Sequence, residues 1–318
     1  MMTLKRGWSK PSSILFATEL PANERAFAFA LTEAMGGRAD LILFHVCPVQ
    51  AASAAGNPAA RTADFAAARA VKEELEPLVR RAHDLGIACR VVVRAGKVEE
   101  TVLQFAEEQQ VDRVVMGVHT PGPVGKLLVG SAAEMVLRKA HVPVTIVGPY
   151  LTEGSYRNMA VRTILCPICE HPSSPAVAHL ATEMAFRHGA RLILQQIIPP
   201  QDAAEMLAGR TLRQMEAGLM ELIPGRLRGR VEVMTHVMVG DPTEELLYQS
   251  RVLQANLIVM GAQGASHFAA ISRAGTVYKV LAYAHCPVMT LSPVLLAGCM
   301  SIPPRAHPAE VHYIAGVV

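Results

Sequence analysis

Short apolar runs alternate with amphipathic stretches along almost the whole chain. The first run, Ser13 to Thr18, places Ile14, Leu15 and Phe16 in succession, the pattern of a strand buried on both faces. Before it, Met1 to Pro11 reads as a loose lead-in. Pro21-Ala22-Asn23 turns the chain, and Asn23 suits the N-cap of a helix that runs to Met35 and stops at Gly36-Gly37. Leu41 to Val46 predicts a second strand, and Gln50 to Pro58 a small-residue loop. Thr62 to Leu85 predicts a long helix kinked or broken at Pro77. Cys89 to Val93 is a third strand, Val98 to Gln109 a helix, Val111 to Met116 a fourth strand, Ser131 to Ala140 a helix and Val142 to Val147 a fifth strand. Beyond a polar linker, Tyr150 to Ala160, the series resumes with strands at Thr163–Pro167, Leu192–Ile198, Val231–Val239, Leu257–Met260 and Pro287–Leu291. The helices between them are read at Ser174–His188, Ala203–Leu222, Thr243–Leu253 and Thr276–Ala284. Strands alternating with helices predict a parallel sheet covered on both faces.

The resumption is a duplication. Gly96 and Gly240, Gly117 and Gly261, and the starts of His141-Val142-Pro143-Val144 and His285-Cys286-Pro287-Val288 are each 144 residues apart. A period of that size is a domain, too long for a solenoid unit. The halves are read as 12–149 and 162–293, with 294–318 a tail that packs on this chain or on a partner.

In each half an apolar strand ends in glycine, a loop follows, and a helix begins at a Gly-Ser or Gly-Thr pair: Val114-Val115-Met116-Gly117 to Gly130-Ser131, and Leu257-Ile258-Val259-Met260-Gly261 to Gly275-Thr276. Glycine admits a close-lying ligand, and a helix N-terminus offers unpaired N–H groups to an anion. With Leu43-Phe44-His45-Val46 and His141-Val142-Pro143-Val144, these residues resemble the universal stress protein family over both halves. That resemblance implies an α/β fold of two tandem open parallel sheets, five strands each in the order 3-2-1-4-5, of the adenine-nucleotide α-hydrolase-like type. Ligands of such sheets sit at the order reversal, here between strands one and four. It also implies ATP in the first half, with Glu19 in place of the family's strand-one Asp, backbone groups near Val46 and Met116 along the adenine, and Gly117, Thr120, Lys126, Gly130, Ser131 and Ala132 toward the phosphates. Thr120 stands where the family has its second glycine, and Pro121 where it often has a basic residue. The second half departs further: Cys169 replaces the strand-one acid, and ten residues, not nine, precede Gly275. If Val136-Leu137 and Val280-Leu281 keep the 144-residue register, either the loop is one residue longer and the helix one shorter, or the final glycine is lost. The halves are expected to pack as a pseudo-dimer through their fifth strands, Val142–Val147 and Pro287–Leu291, and a homodimer of whole chains is compatible with this.

Composition narrows the picture. The 318 residues are 51% hydrophobic and 18% charged, enough for two cores. A net charge of +3 argues against nucleic acid or an anionic membrane surface, no apolar run reaches membrane-span length, and the N-terminus lacks a signal-peptide layout. Six cysteines in a chain of this length point to a reduced, cytoplasmic protein. Gly125-Lys126 is not a P-loop, because Thr120 and Leu127 stand at its required Gly and Ser/Thr positions. Cys166-Pro167-Ile168-Cys169 reads as a buried strand residue followed by a loop thiol; a thiol sensor and, with His171, a metal trio are the competing readings. No catalytic triad, paired carboxylates or nucleophile elbow is present, so no metal is expected beyond magnesium carried by a nucleotide, and ATP turnover would be slow at most. The expected function is a stress-response module that binds adenine nucleotide in its first half, with the second as structural partner. The alternative is a nucleotide-independent protein acting through protein partners.

Overall fold

A computed structural model of the chain describes residues 10–47, 58–118, 130–151, 160–262 and 275–300. The strands are β1 (Ser13–Ala17), β2 (Asp40–Cys47), β3 (Cys89–Ala95), β4 (Arg113–Gly117), β5 (Val144–Val147), β6 (Thr163–Ile168), β7 (Arg191–Ile198), β8 (Val233–Val239), β9 (Leu257–Gly261) and β10 (Val288–Leu291). The helices are α1 (Glu24–Gly37), α2 (Pro58–Asp84), α3 (Val98–Glu108), α4 (Ser131–Lys139), α5 (Ser174–His188), α6 (Ala203–Met206), α7 (Leu212–Glu221), α8 (Pro242–Val252), α9 (Thr276–Tyr283) and α10 (Pro293–Met300).

All ten strands join one sheet in the order β3-β2-β1-β4-β5-β10-β9-β6-β7-β8. Each half therefore has the order 3-2-1-4-5, parallel throughout, and the halves meet where β5 and β10 pair antiparallel. In that pairing Met289 faces Thr145, its own repeat counterpart, while Val288 faces Ile146 and Thr290 faces Val144. This reciprocity is the mark of a two-fold interface, written here within one chain. Thr290 Oγ1 donates to the Val144 carbonyl at 3.3 Å, and Ser292 Oγ to that of Ala140 at 2.5 Å. Apolar side chains on both faces of the strands build two cores. Helices α1, α2, α5, α7 and α10 cover one, and α3, α4, α8 and α9 the other.

The repeat extends to small polar devices. Asp112 Oδ2 accepts from the backbone N–H groups of Ser12 and Ser13, at 2.7 and 3.2 Å, and so fixes the start of β1. Its counterpart Asn256 does the same for β6 through Arg162 and Thr163, at 3.0 Å each. Gln110 and Gln254, again 144 apart, both take left-handed backbone angles.

Four local readings are refined. Helix α1 ends at Gly37, as expected, but the left-handed cap position is taken by Arg38. The two glycines serve packing instead, since a Cβ on Gly36 would lie 2.9 Å from His188 Cε1 and one on Gly37 2.8 Å from the Pro11 carbonyl. Helix α2 passes through Pro77 without a break. The single helix expected over Ala203–Leu222 is two, divided at Gly209 (φ +69°) and restarted by a capping box between Thr211 and Gln214. Finally, α9 begins one residue later than the 144-residue offset from α4 would place it. It retains Gly275 as N-cap, while Ala140 and Ala284, which do keep the offset, cap the two C-termini. The helix is one residue shorter and the glycine is kept. The tail contributes α10, whose Leu295, Leu296 and Cys299 are buried in the core of this same chain.

Candidate functional site

The site is built from the carboxyl ends of β1, β2 and β4. β1 is the shorter strand: its ladder with β2 ends at Ala17–Phe44, and the Thr18 N–H adds a last bond to the Phe44 carbonyl at 2.9 Å. β2 continues to Cys47 against β3. Backbone groups alternate in direction along a strand. Leu41 and Cys47 bond toward β3 and Phe44 toward β1, so the N–H and C=O of Val46 face the β1 side beyond its final rung. The Val46 and Met116 side chains are buried in the core on the α3–α4 face, which leaves backbone at the crevice. His45 Nδ1 lies 2.9 Å from the Thr18 carbonyl and ties the two strand ends together. Glu19 follows on the surface.

Across the crevice stands Asn23, whose side chain does more than cap α1. Its Oδ1 accepts from the Ala26 N–H at 3.0 Å, and its Nδ2 donates to the Val118 carbonyl at 3.3 Å, just past β4. A Cβ on Gly117 would come within 2.5 to 2.6 Å of the Asn23 Cγ, Cβ and Nδ2 atoms. The first motif glycine is thus required by the side chain that ties the start of α1 to the end of β4. Gly117→Ala is expected to cost about 1–3 kcal/mol by overpacking, because Asn23 can retreat only by giving up its cap. Urea denaturation would register it as a lower midpoint with unchanged slope.

Gly130 contrasts with Gly117. A Cβ there would meet none of the described residues, and its φ of −57° suits any residue. It is the N-cap of α4, and among the described residues no side chain caps that helix. Gly130 and Ser131 are exposed and Ala132 half-buried. An uncapped first turn presents N–H groups and the positive end of the helix dipole. Thr120 and Lys126 lie outside the described residues, as does His119.

The second half closes the corresponding place with apolar groups. The β6–β9 ladder stops at Leu165–Ile258, two residues before Pro167, which has no N–H to give. The missing Cβ of Gly261 faces Val177 Cγ2 at 3.3 Å and Leu296 Cδ1 at 3.5 Å. Leu296 comes from α10, so a residue of the tail packs over the glycine that matches Gly117. Cys166 is fully buried and Cys169 exposed, and all six cysteines are free. Among the described residues no group of three or more His, Cys, Asp or Glu could hold a metal ion, which leaves the Cys166–Cys169–His171 trio without support.

The family model of the universal stress proteins matches residues 12–148 and 160–292. The chain belongs to the universal stress protein family. A universal stress protein of Mycolicibacterium smegmatis is 26% identical over 220 residues, 65% of this chain and 70% of that one. One from Methanocaldococcus jannaschii is 29% identical over 76 residues, 24% of this chain; the match takes in 47% of that relative, about half its length. Among solved structures, a universal stress protein from Archaeoglobus fulgidus superposes with a TM-score of 0.66 at 20% identity, covering 88% of this chain and 96% of its own. A functionally unknown protein from Pseudomonas aeruginosa does so with 0.66 at 16%, covering 93% and 98%. These two likenesses concern the fold. No helix among the described residues is long and apolar enough to cross a membrane.

Sequence reasoning found Gly117, Gly130 and Asn23 but gave Asn23 only its capping role. It missed a second polar constellation altogether. Glu33 of α1 and Arg113 of β4, both fully buried, form an ion pair at the bottom of the first core, joined by Arg187 and His188 from α5 of the other half.

Proposed function

We propose that the protein is a stress-response module that binds adenine nucleotide, ATP in the first instance, in a first domain over 12–149. A second domain over 162–293 then acts as structural partner in an intramolecular pseudo-dimer, with 294–318 as tail and the cytoplasm as its place of work. The observation that carries this reading is the exposed N-terminus of α4 at Gly130-Ser131, which no described side chain caps and where no described neighbour demands glycine. A phosphate accepting from the first-turn N–H groups would give that glycine its reason. The Val46 backbone, turned past the end of β1, would supply a donor and an acceptor for a base, and Glu19, on the surface just after β1, is the acid assigned to the same nucleotide. Thr120, Lys126 and Ala132 complete the proposed contacts, and magnesium would arrive with the nucleotide. Leu296 and Val177 over Gly261 favour the first domain over the second.

One observation favours the runner-up, a nucleotide-independent protein acting through protein partners: Asn23 accounts for Gly117 without any ligand. Calorimetric titration of ATP into nucleotide-stripped full-length protein separates the two. Binding is expected, and Gly130→Asp, which sets a carboxylate against the phosphates, is expected to weaken it tenfold or more, about 1.4 kcal/mol. No heat at millimolar ATP, with the protein folded by circular dichroism, would leave the partner-binding reading.

A further inference from the structure

The two ends of the sheet are built differently. Its outer strands, β3 and β8, match residue for residue at the 144-residue offset, and so do the helices α3 and α8. In the first half the margin between edge strand and helix is polar. Arg94 Nη2 meets Glu108 Oε2 at 2.8 Å, with its guanidinium over the Phe105 ring. Arg90 Nη2 donates to Gln109 Oε1 at 3.1 Å, and Gln104 Nε2 to Glu108 Oε1 at 2.7 Å. In the second half each of these polar positions is apolar or aromatic. Met234 and Met238 stand for Arg90 and Arg94, Tyr248 for Gln104, Val252 for Glu108 and Leu253 for Gln109, while Phe105 alone of the set becomes polar, as Gln249. Met234 is 47% exposed, Tyr248 61% and Val252 57%. The contacts of the first half show that these positions share one margin. Single apolar residues on a surface need no explanation, but a contiguous set does.

The edge offers backbone as well. The Glu232 carbonyl accepts from the Leu192 N–H, and the Gly240 N–H donates to the Ile198 carbonyl, both toward β7. Backbone groups alternate in direction along a strand, so those of Val233, Thr235, Val237 and Val239 point away from the sheet. Among the described residues none of these groups has a backbone partner. Val233 and Val237 pack into the core that α7 covers, which turns Met234, His236 and Met238 to the α8 side.

A strand of this kind accepts another strand. A second copy related by a two-fold axis fits it, because the surface is complementary to itself. An antiparallel copy brings a matching row of N–H and C=O groups. The facing side chains, Met234, His236 and Met238, set no acid and no fixed positive charge against its like. Helix α8 carries Glu244 and Glu245 in its first turn and Arg251 in its last, so the two-fold turns the acidic end of each helix toward the basic end of the other. β3 fails the same test. Its Arg90 and Arg94 would face those of the copy, and like charges guard that edge.

We propose that the protein forms a two-fold dimer by antiparallel pairing of β8 with the β8 strand of a second copy, flanked by Met234, Tyr248 and Val252. The sheet then runs unbroken through both copies, and the charged β3 edges stop growth at the dimer. This interface is independent of the nucleotide reading of the first domain.

Sedimentation equilibrium of the full-length protein tests it, together with hydrogen exchange of the peptide spanning residues 232–240. A reversible monomer–dimer equilibrium is expected, and exchange of that peptide should slow as the dimer fills. Met234→Arg and Val252→Glu each place the first half's residue at an exposed position, so both should keep the wild-type circular dichroism. Each is expected to weaken dimerisation about tenfold or more, because the axis repeats every change in both copies. Arg90→Glu, on β3, should leave it unchanged. A protein that stays monomeric up to about 1 mM, a dimer that neither variant weakens, or one in which the 232–240 peptide exchanges as fast as in the monomer would overturn the proposal.

Discussion

Glu33→Gln is expected to destabilise the protein by about 3–5 kcal/mol, the usual loss when one partner of a buried ion cluster is removed. Glu33 and Arg113 have no exposed side-chain surface, and Arg187 adds a second guanidinium 3.3 Å from Glu33 Oε2. Burial and the neighbouring Arg187 push the Arg113 pKa well below its ordinary value, and burial lowers that of Arg187 to about 10. Neutralising Glu33 removes the carboxylate that both guanidiniums share. The substitution also bears on how the halves hold together, because Arg187 belongs to α5 and Glu33 to α1. Equilibrium urea unfolding measures the loss. The double variant Glu33→Gln with Arg113→Leu should recover a large part of it, since removing both members of a buried pair costs less than removing one. The repeat supports that choice, because Leu257 occupies the position of Arg113 in the second half. A double variant no more stable than Glu33→Gln would refute the charge argument.

Stability should also fall as the pH drops below neutrality, earlier than exposed carboxylates alone would cause. His188 Nε2 lies 2.8 Å from Arg187 Nη2, a distance at which the neutral ring accepts from the guanidinium. Burial, then Arg187 and Arg113, push its pKa down from 6.5 to about 3. The folded pKa is below the unfolded one, so the unfolded chain binds more protons between those values. The stabilisation is therefore complete above the unfolded pKa and is lost as the pH falls toward 3. One such group contributes a slope of about 1.4 kcal/mol per pH unit in that window. His188→Gln, which keeps a neutral polar side chain beside Arg187, should flatten the stability profile between pH 6.5 and 4.5. Parallel wild-type and variant profiles would show that His188 already titrates normally in the folded protein.

What the sequence revealed and what it concealed follow from the range of each interaction. The repeat was legible because its apolar runs keep their spacing after duplication, whereas the strand order and the meeting of β5 with β10 were implied by the family resemblance. The divided helix at Ala203–Leu222 was also there to be read, as Thr211-Leu212-Arg213-Gln214 carries the capping-box spacing. Gly36-Gly37 marked where α1 ends but not what caps it, because glycine serves packing as readily as helix termination, and only the position of His188 and Pro11 shows the packing role. In the site, Gly130 and Ser131 could be found from motif spacing, whereas the directions of the Val46 backbone groups depend on where β1 ends relative to β2. The Glu33 cluster joins residues from α1, β4 and the opposite half. Its arginine sits at the head of an otherwise apolar run, and no periodicity announces such a meeting.

The antiparallel seam between β5 and β10 has one further consequence. Two separate subunits joined by such a seam would come apart on dilution and could trade partners with other chains. Here the linker keeps the two edges at a high mutual concentration whatever the amount of protein. Copies cannot reassort, so every molecule contains one half with Gly130 open to the outside and one half with Leu296 set over its glycine. An asymmetry that free subunits would reach only as one mixture among several is fixed by covalent connection.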